Sequence, residues 1–140
     1  WAAEPPEPQP GPAPIRMTRQ RQHLGRTGER LAAWYLKLSG YRILARNYRN
    51  RIGEIDIIAK DGGTLVFVEV KARKDRRFGP PKAAVTVNKQ QKLSRTALAY
   101  LKETRQMDAR ARFDVVSIYM ASMPPRIELI QNAFDLACDI

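Results

Sequence analysis

The sequence predicts one α/β domain, a mixed sandwich with a sheet at its centre and helices packed on it. Three observations carry that reading. Apolar periodicity alternates along the chain between helical and strand spacing, in the order helix, three strands, helix, strand, strand. Glycine and proline signals separate these segments. A length of 140 residues with 44% hydrophobic content suffices for one core and is too short for two comfortable domains.

Taken in order, residues 1–14 (WAAEPPEPQPGPAP) hold six of the ten prolines and little that can pack. Residues 1–16 are therefore expected to form a disordered, polyproline-like tail, and residues 17–140 a single domain with Met17 as a natural start. A first helix is read from Thr18 or Gly25 to Ser39. Leu31, Trp34, Tyr35 and Leu38 fall at helical spacing as its core face, and Gly40 stops it. Tyr41 to Tyr48 reads as a strand, Arg49 to Gly53 as a turn, and Glu54 to Ala59 (EIDIIA) as a second strand. Asp61-Gly62-Gly63 is a tight turn into a third strand, Thr64 to Arg73 (TLVFVEVKAR). Lys74 to Val87 reads as an exposed loop. Asn88 is expected to cap a second helix, with Gln91 in the capping-box position and Leu93, Ala97, Tyr100 and Leu101 on its buried side. Phe113 to Met120 and Arg126 to Gln131 complete the strands, with Pro124 and Pro125 between them.

Charge narrows the partner. Twenty-five Lys and Arg against fourteen Asp and Glu give a formal charge of +11 and a pI near 10.3, which favours a polyanion. A membrane partner is not expected, because no apolar run approaches the roughly 18 residues of a spanning helix. The N-terminus does not read as a secretory signal, and Cys138, the only cysteine, cannot form an internal disulfide. A cytoplasmic setting is expected.

Side chains alternate faces along a strand. In TLVFVEVKAR this puts Leu65, Phe67, Glu69 and Lys71 on one face and Val66, Val68, Val70 and Ala72 on the other. In the preceding strand Glu54, Asp56 and Ile58 share a face, and a hairpin around Asp61-Gly62-Gly63 brings Asp56 level with Glu69. Two acids and a lysine then meet. For any one of these residues alone, cross-strand ion pairing is the simpler account. For the group, Coulomb energy decides otherwise. Two like charges ~4 Å apart repel by about 4 kcal/mol at an effective dielectric of ~20, and a divalent cation offsets this better than one lysine.

An acid followed by Glu-x-Lys on a hydrophobic strand, here Asp56 and then Glu69-Val70-Lys71, is the PD-(D/E)XK nuclease signature. Around it stand Gly25-Arg26-Thr27-Gly28-Glu29, Gly40-Tyr41-Arg42-Ile43-Leu44, Asn47-Tyr48-Arg49, Gly53-Glu54-Ile55-Asp56, Phe67-Val68-Glu69-Val70-Lys71-Ala72-Arg73 and Phe78-Gly79, in that order. From about Gly25 to Phe134 the chain resembles the YraN family of small bacterial proteins, described as predicted endonucleases similar to archaeal Holliday-junction resolvases. The resemblance implies a restriction-endonuclease-like three-layer sandwich, with a central mixed sheet flanked by helices. It implies a Mg²⁺- or Mn²⁺-dependent endonuclease acting on DNA, in particular structured or branched DNA. RNA stays open as a substrate, and so does a homodimeric state.

Carried over residue by residue, Asp56 and Glu69 would be metal ligands, with the Val70 backbone carbonyl as a third oxygen. Lys71 would position or deprotonate the attacking water and stabilise charge on the phosphate. Glu29 corresponds to the helical glutamate that completes the site in resolvase-like members, and a solvated helix residue is its alternative. Glu54 is ambiguous between site and strand edge. Gln90 resembles a helical glutamine near the site in some nucleases of this class. Basic residues form a second layer. Eight Lys or Arg lie between Lys71 and Lys92 against one acid, Asp75, and Arg16, Arg19, Arg21, Arg26 and Arg30 crowd the first helix. Arg26, Arg73, Lys74, Arg76, Arg77 and Lys89 are the expected phosphate contacts. Phe78 is a candidate for stacking on a base, Asp114 reads as a structural acid, His23 as exposed, and Trp34 and Tyr35 as core. The rival reading is a non-catalytic nucleic-acid-binding module on the same fold.

Overall fold

The computed structural model describes residues 19–74 and 85–136, with side chains within 25–74 and 85–136. The expected Pro-rich tail, Arg16, the side chains of Arg19, Arg21 and His23, and Arg76, Arg77, Phe78 and Cys138 lie outside the described residues.

Helix α1 (Arg19–Leu38) precedes strands β1 (Arg42–Arg49), β2 (Glu54–Asp61) and β3 (Thr64–Arg73). Helix α2 (Val87–Glu103), β4 (Ala111–Tyr119) and β5 (Arg126–Phe134) follow. The five strands form one sheet in sequence order. β1, β2 and β3 are an antiparallel meander, β3 and β4 run parallel, and β5 returns antiparallel to β4. Gly62, with φ +60°, makes the tight β2–β3 turn, closing on the pair Asp61 and Thr64. Parallel neighbours need a crossover, and α2 lies within it.

The expected three-layer sandwich with a mixed central sheet is what the chain adopts. α1 covers one face, where Ala32, Ala33 and Leu36 meet Ile57, Val66, Val68, Val116 and Ile118. α2 covers the other, where Leu93, Ala97 and Leu101 meet Ile58, Leu65, Phe67, Phe113 and Val115. β3 and β4 are buried on both faces, which is why they read as near-continuous apolar runs. Each fully buried Ile or Leu contributes about 1.5–3 kcal/mol, so this centre can hold charged groups against one another at its end.

Two local expectations are corrected. Of the expected core face of α1, Leu31 packs half-buried against the core and Tyr35 is half-buried, but Trp34 and Leu38 are not core residues. Trp34 is 56% and Leu38 67% exposed, and the buried line runs instead through Gly28, Ala32, Ala33 and Leu36. The reason is close approach. A Cβ on Gly28 would lie 3.2 Å from the Ala72 Cβ, so this helix presents small residues to the sheet and carries its large apolar side chains on the flank. Its end is as expected: Gly40 takes φ +91°, and the Tyr41 N–H reaches back to the Leu36 carbonyl at 2.9 Å. α2 is capped by Thr86, not Asn88. The Thr86 hydroxyl accepts from the Lys89 N–H at 3.2 Å, and buried Val85 anchors the entry. Asn88 and Gln91 therefore sit inside the helix, and no capping box forms between them.

Candidate functional site

Leu65 and Phe67 pack under α2, so alternation carries Glu69 and Lys71 onto the same face. Glu69 is buried, 6% exposed, where the α2 layer ends. Its Oε1 takes the Lys89 ammonium at 2.9 Å and the Lys71 ammonium at 3.8 Å. α2 thus delivers Lys89 to the acid from above, while Lys71 approaches along the strand.

Asp56 reaches the same spot by a different device. Ile57 pairs with Val68, and the next step outward sets Asp56 beside Glu69, but the β2–β3 ladder stops at the Ile57–Val68 pair. Beyond it β2 parts from β3, while β4 follows β3 on to Arg73. The Asp56 carboxylate fills the opening and accepts the Val70 N–H at 2.8 Å. Simple alternation fails here. Ile55 and Ile58, three residues apart, both pack in the α2-side core, so Glu54, Asp56 and Ile58 do not share one regular face. Asp56 is directed across the gap toward β3.

The electrostatics follow from this crowding. Burial, then the nearby Glu69 charge, push the Asp56 carboxyl up to about 7 from an ordinary 3.8. The Val70 N–H and Lys89 act against the rise, and Glu29 adds to it. Burial disfavours charge on Lys89 too, yet Glu69, Asp56 and Glu54 together hold its pKa above the ordinary value. Glu29, on the opposite helix, is therefore felt by Asp56. With its nitrogen turned inward, the Asn47 amide donates to both Glu29 oxygens, at 3.1 and 3.3 Å. Arg26, Arg30 and Arg46 line the depression around that pair.

The remaining expected residues sort as follows. Glu54 is exposed at the strand edge and pairs with Arg49. Gln90 spends its amide on the Val85 carbonyl at 2.9 Å, fixing the entry to α2 and not touching the acids. Arg26 and Lys74 are exposed and Arg73 half-buried. Asp114 is the structural acid expected of it. It is fully buried on the α1 face, receiving the Tyr41 hydroxyl at 2.8 Å, Arg112 at 3.0 Å and the Asn132 N–H at 2.9 Å. Lys89 was anticipated only as a phosphate contact. Its place on Glu69 depends on the height of α2 over β3, for which a single sequence gives no signal. Asn47 was missed as well. Its φ of 53° is a tertiary feature, although Asn is the residue type that tolerates it.

Among the described residues, no three Asp, Glu, His or Cys side chains stand close enough to cage a metal by themselves. A cation here would rest on Asp56, Glu69 and backbone oxygen. That set fits Mg²⁺ or Mn²⁺, hard ions that bind through one or two carboxylates and keep positions for water and phosphate. The observation that makes the fit is the clustering of two carboxylates of which only Glu69 has a lysine at ion-pair distance among the described residues, while Asp56 has the Val70 N–H.

Residues 28–118 match the model of an uncharacterised protein family, UPF0102. A UPF0102 protein of Geobacter metallireducens is 53% identical over 121 residues, covering 86% of this chain and 99% of its own. One from Desulfosudis oleivorans is 55% identical over 119 residues, covering 85% and 95%. Among solved structures, the chain is similar to Pyrococcus furiosus SfsA in complex with Ca²⁺, at 16% identity and a TM-score of 0.37, over 79% of this chain and 63% of that one. No helix among the described residues is long and apolar enough to cross a membrane.

Proposed function

The chain belongs to the uncharacterised protein family UPF0102, the YraN-type family its motifs resemble, and for it we propose a divalent-metal-dependent endonuclease that hydrolyses DNA phosphodiester bonds. The observation that supports it most is the meeting of Asp56 and Glu69 where β2 and β3 part, with Lys71 beside them. Folding alone gains nothing from pressing two carboxylates together. Binding a cation does.

Asp56, Glu69 and the Val70 carbonyl would hold Mg²⁺ or Mn²⁺, which supplies Lewis-acid polarisation of the phosphate and acidifies water. Lys71, half-buried and on the same face as Glu69, would as an ammonium orient the attacking water and balance the charge developing on phosphate oxygen. Lys89 is the cationic partner of Glu69. Glu29 adds negative potential from the α1 side, and its hydrogen bonds to Asn47 keep it in place. Branched and flapped DNA are the substrates suggested by the resemblance to resolvases.

The rival, a non-catalytic nucleic-acid-binding module, draws on one specific observation: Glu69 already has a cationic partner in Lys89, at 2.9 Å. The test is cleavage of duplex, single-stranded, flap and four-way-junction DNA, and of RNA, with and without Mn²⁺. Metal-dependent cutting that is lost in Lys71→Ala is expected. No cutting of any form, together with no Mn²⁺-dependent thermal shift in the presence of DNA, decides for the binding module.

A further inference from the structure

The β1–β2 turn and the first turns of α2 enclose a groove of about 430 Å³ that none of the expected site residues except Lys89 and Glu54 enters. Four basic side chains line it, Arg49, Arg51, Lys89 and Lys92, against one acid, Glu54. Most of the lining is exposed, so the groove is open to a continuous polymer and is not a closed pocket for a small ligand. It also runs into the acid pair. Lys89 belongs to both, with its ammonium 2.9 Å from Glu69, and Glu54 stands two residues before Asp56 on β2.

The groove wall is built firmly. Asn50 closes the turn by accepting the Ile52 and Gly53 N–H groups at 2.9 and 3.1 Å. It ties the turn to α2 by donating to the Thr96 carbonyl at 3.2 Å. Gly53 presses on the helix so closely that a Cβ there would meet the Thr96 hydroxyl at 2.9 Å. The turn therefore holds its arginines at a fixed height over α2. Of the four cations, Arg49 pairs with Glu54 and Lys89 with Glu69. Arg51 and Lys92 meet no acidic partner among the described residues.

We propose that this groove holds the sugar-phosphate backbone of the nucleic-acid strand next to the phosphate that is cut, with Arg51 and Lys92 as its phosphate contacts. The inference rests on the nuclease reading and adds to it a path for the strand. That path lies between the β1–β2 turn and α2. A row of cations beside a rigid turn neutralises successive phosphates without reading bases, so the contact is insensitive to sequence.

The test measures binding of a fluorescent 20-nucleotide single strand and the matching duplex to the full chain in EDTA, across salt concentrations. Arg51→Ala/Lys92→Ala is compared with Lys102→Ala/Arg105→Ala, a control that removes the same charge from exposed residues at the far end of α2. Two lost phosphate contacts lower the log–log salt slope by about 1.4 for a single strand and about 1.8 for a duplex. Affinity near 0.1 M salt then falls roughly ten-fold or more, and the control leaves slope and affinity at wild-type values. A groove variant indistinguishable from the control, with binding retained, overturns the proposal while leaving the nuclease reading intact. No binding of any nucleic acid by the wild-type chain overturns both. Should the double substitution lower the melting temperature, Arg51→Gln and Lys92→Gln are read singly, each with half the slope change expected.

Discussion

Asp114 and Glu69 lie one step apart across the β3–β4 ladder, Asp114 opposite Val68 and Glu69 opposite Val115. Alternation sends them to opposite faces, and there they meet opposite conditions. Around Asp114 the polar partners are all donors: the Tyr41 hydroxyl, the Arg112 guanidinium and the Asn132 N–H. Arg112 is tied further to Asp61 at 2.7 Å, and despite burial these acids hold it above its ordinary pKa. Around Glu69 the donors are Lys89 and Lys71, and a second carboxylate, Asp56, shares the same small space. An acid that serves the fold is surrounded until its charge is met. An acid pair in which only Glu69 has lysine partners is, under the proposed function, the place for another cation. The same sheet thus holds a closed polar network and an open one.

The contrast breaks or sharpens under substitution. The largest expected effect is on catalysis. Lys71→Ala should slow single-turnover cleavage by about 10²–10³-fold, the range for a charge-stabilising donor, while the Mn²⁺-induced thermal shift persists. Cleavage within about three-fold of wild type would remove Lys71 from the chemistry. On the closed side, Asp114→Ala leaves Arg112 and the Tyr41 hydroxyl without their buried acceptor and should lower stability to urea by about 3 kcal/mol. The Mn²⁺ response of the folded fraction should be unchanged. A loss below about 1 kcal/mol would show the network to be dispensable.

Next comes pH. A carboxyl raised from 3.8 to about 7 on folding contributes stability that is fully present below about pH 4 and is lost as pH rises through about 7. Melting temperature in a chelator should therefore fall more steeply between pH 4 and pH 8 for the wild type than for Asp56→Asn. The variant keeps an acceptor for the Val70 N–H and should be the more stable protein at pH 8, by a few kcal/mol. Parallel pH profiles for the two proteins would mean that neither burial nor the Glu69 charge raises the Asp56 carboxyl, and the open side would then resemble the closed one. The smallest effect serves as an uncharged reference. Asn50→Ala removes side-chain bonds to Ile52, Gly53 and Thr96, and should cost about 1–2 kcal/mol by urea denaturation at any pH.

Much of this geometry was legible because β3 is a long, regular strand with strict alternation. Glu69 and Lys71 followed Phe67 onto one face, and the tight Gly62-Gly63 turn fixed the register that brings Asp56 level with Glu69. What alternation could not give was the irregularity at Ile55 and Asp56, where β2 leaves the ladder and the carboxylate takes a backbone N–H. α1 was misread for a different reason. Size and hydropathy pick out Trp34 and Leu38, whereas a helix lying close on a sheet is selected for smallness at Gly28, Ala32 and Ala33. Asn88 is the better cap by type, yet Thr86 takes the position beside buried Val85, a tertiary placement that type does not reveal. Lys89 and the cationic groove needed the relative height of α2 and the β1–β2 turn, which is tertiary information.

The tight seat of Gly28 has a bearing on how the protein can be improved. Glycine inside a helix is a local weakness, and alanine there ordinarily gains about 1 kcal/mol. At this position the new methyl would press on Ala72 at 3.2 Å, and the helix would have to stand off by a few tenths of an ångström. Glu29 is the next residue and rides with it, away from Asp56. Helix propensity would draw a screen for thermal tolerance to this glycine, yet the contact with Ala72 offsets that gain and the shift it forces moves the one acid that α1 contributes.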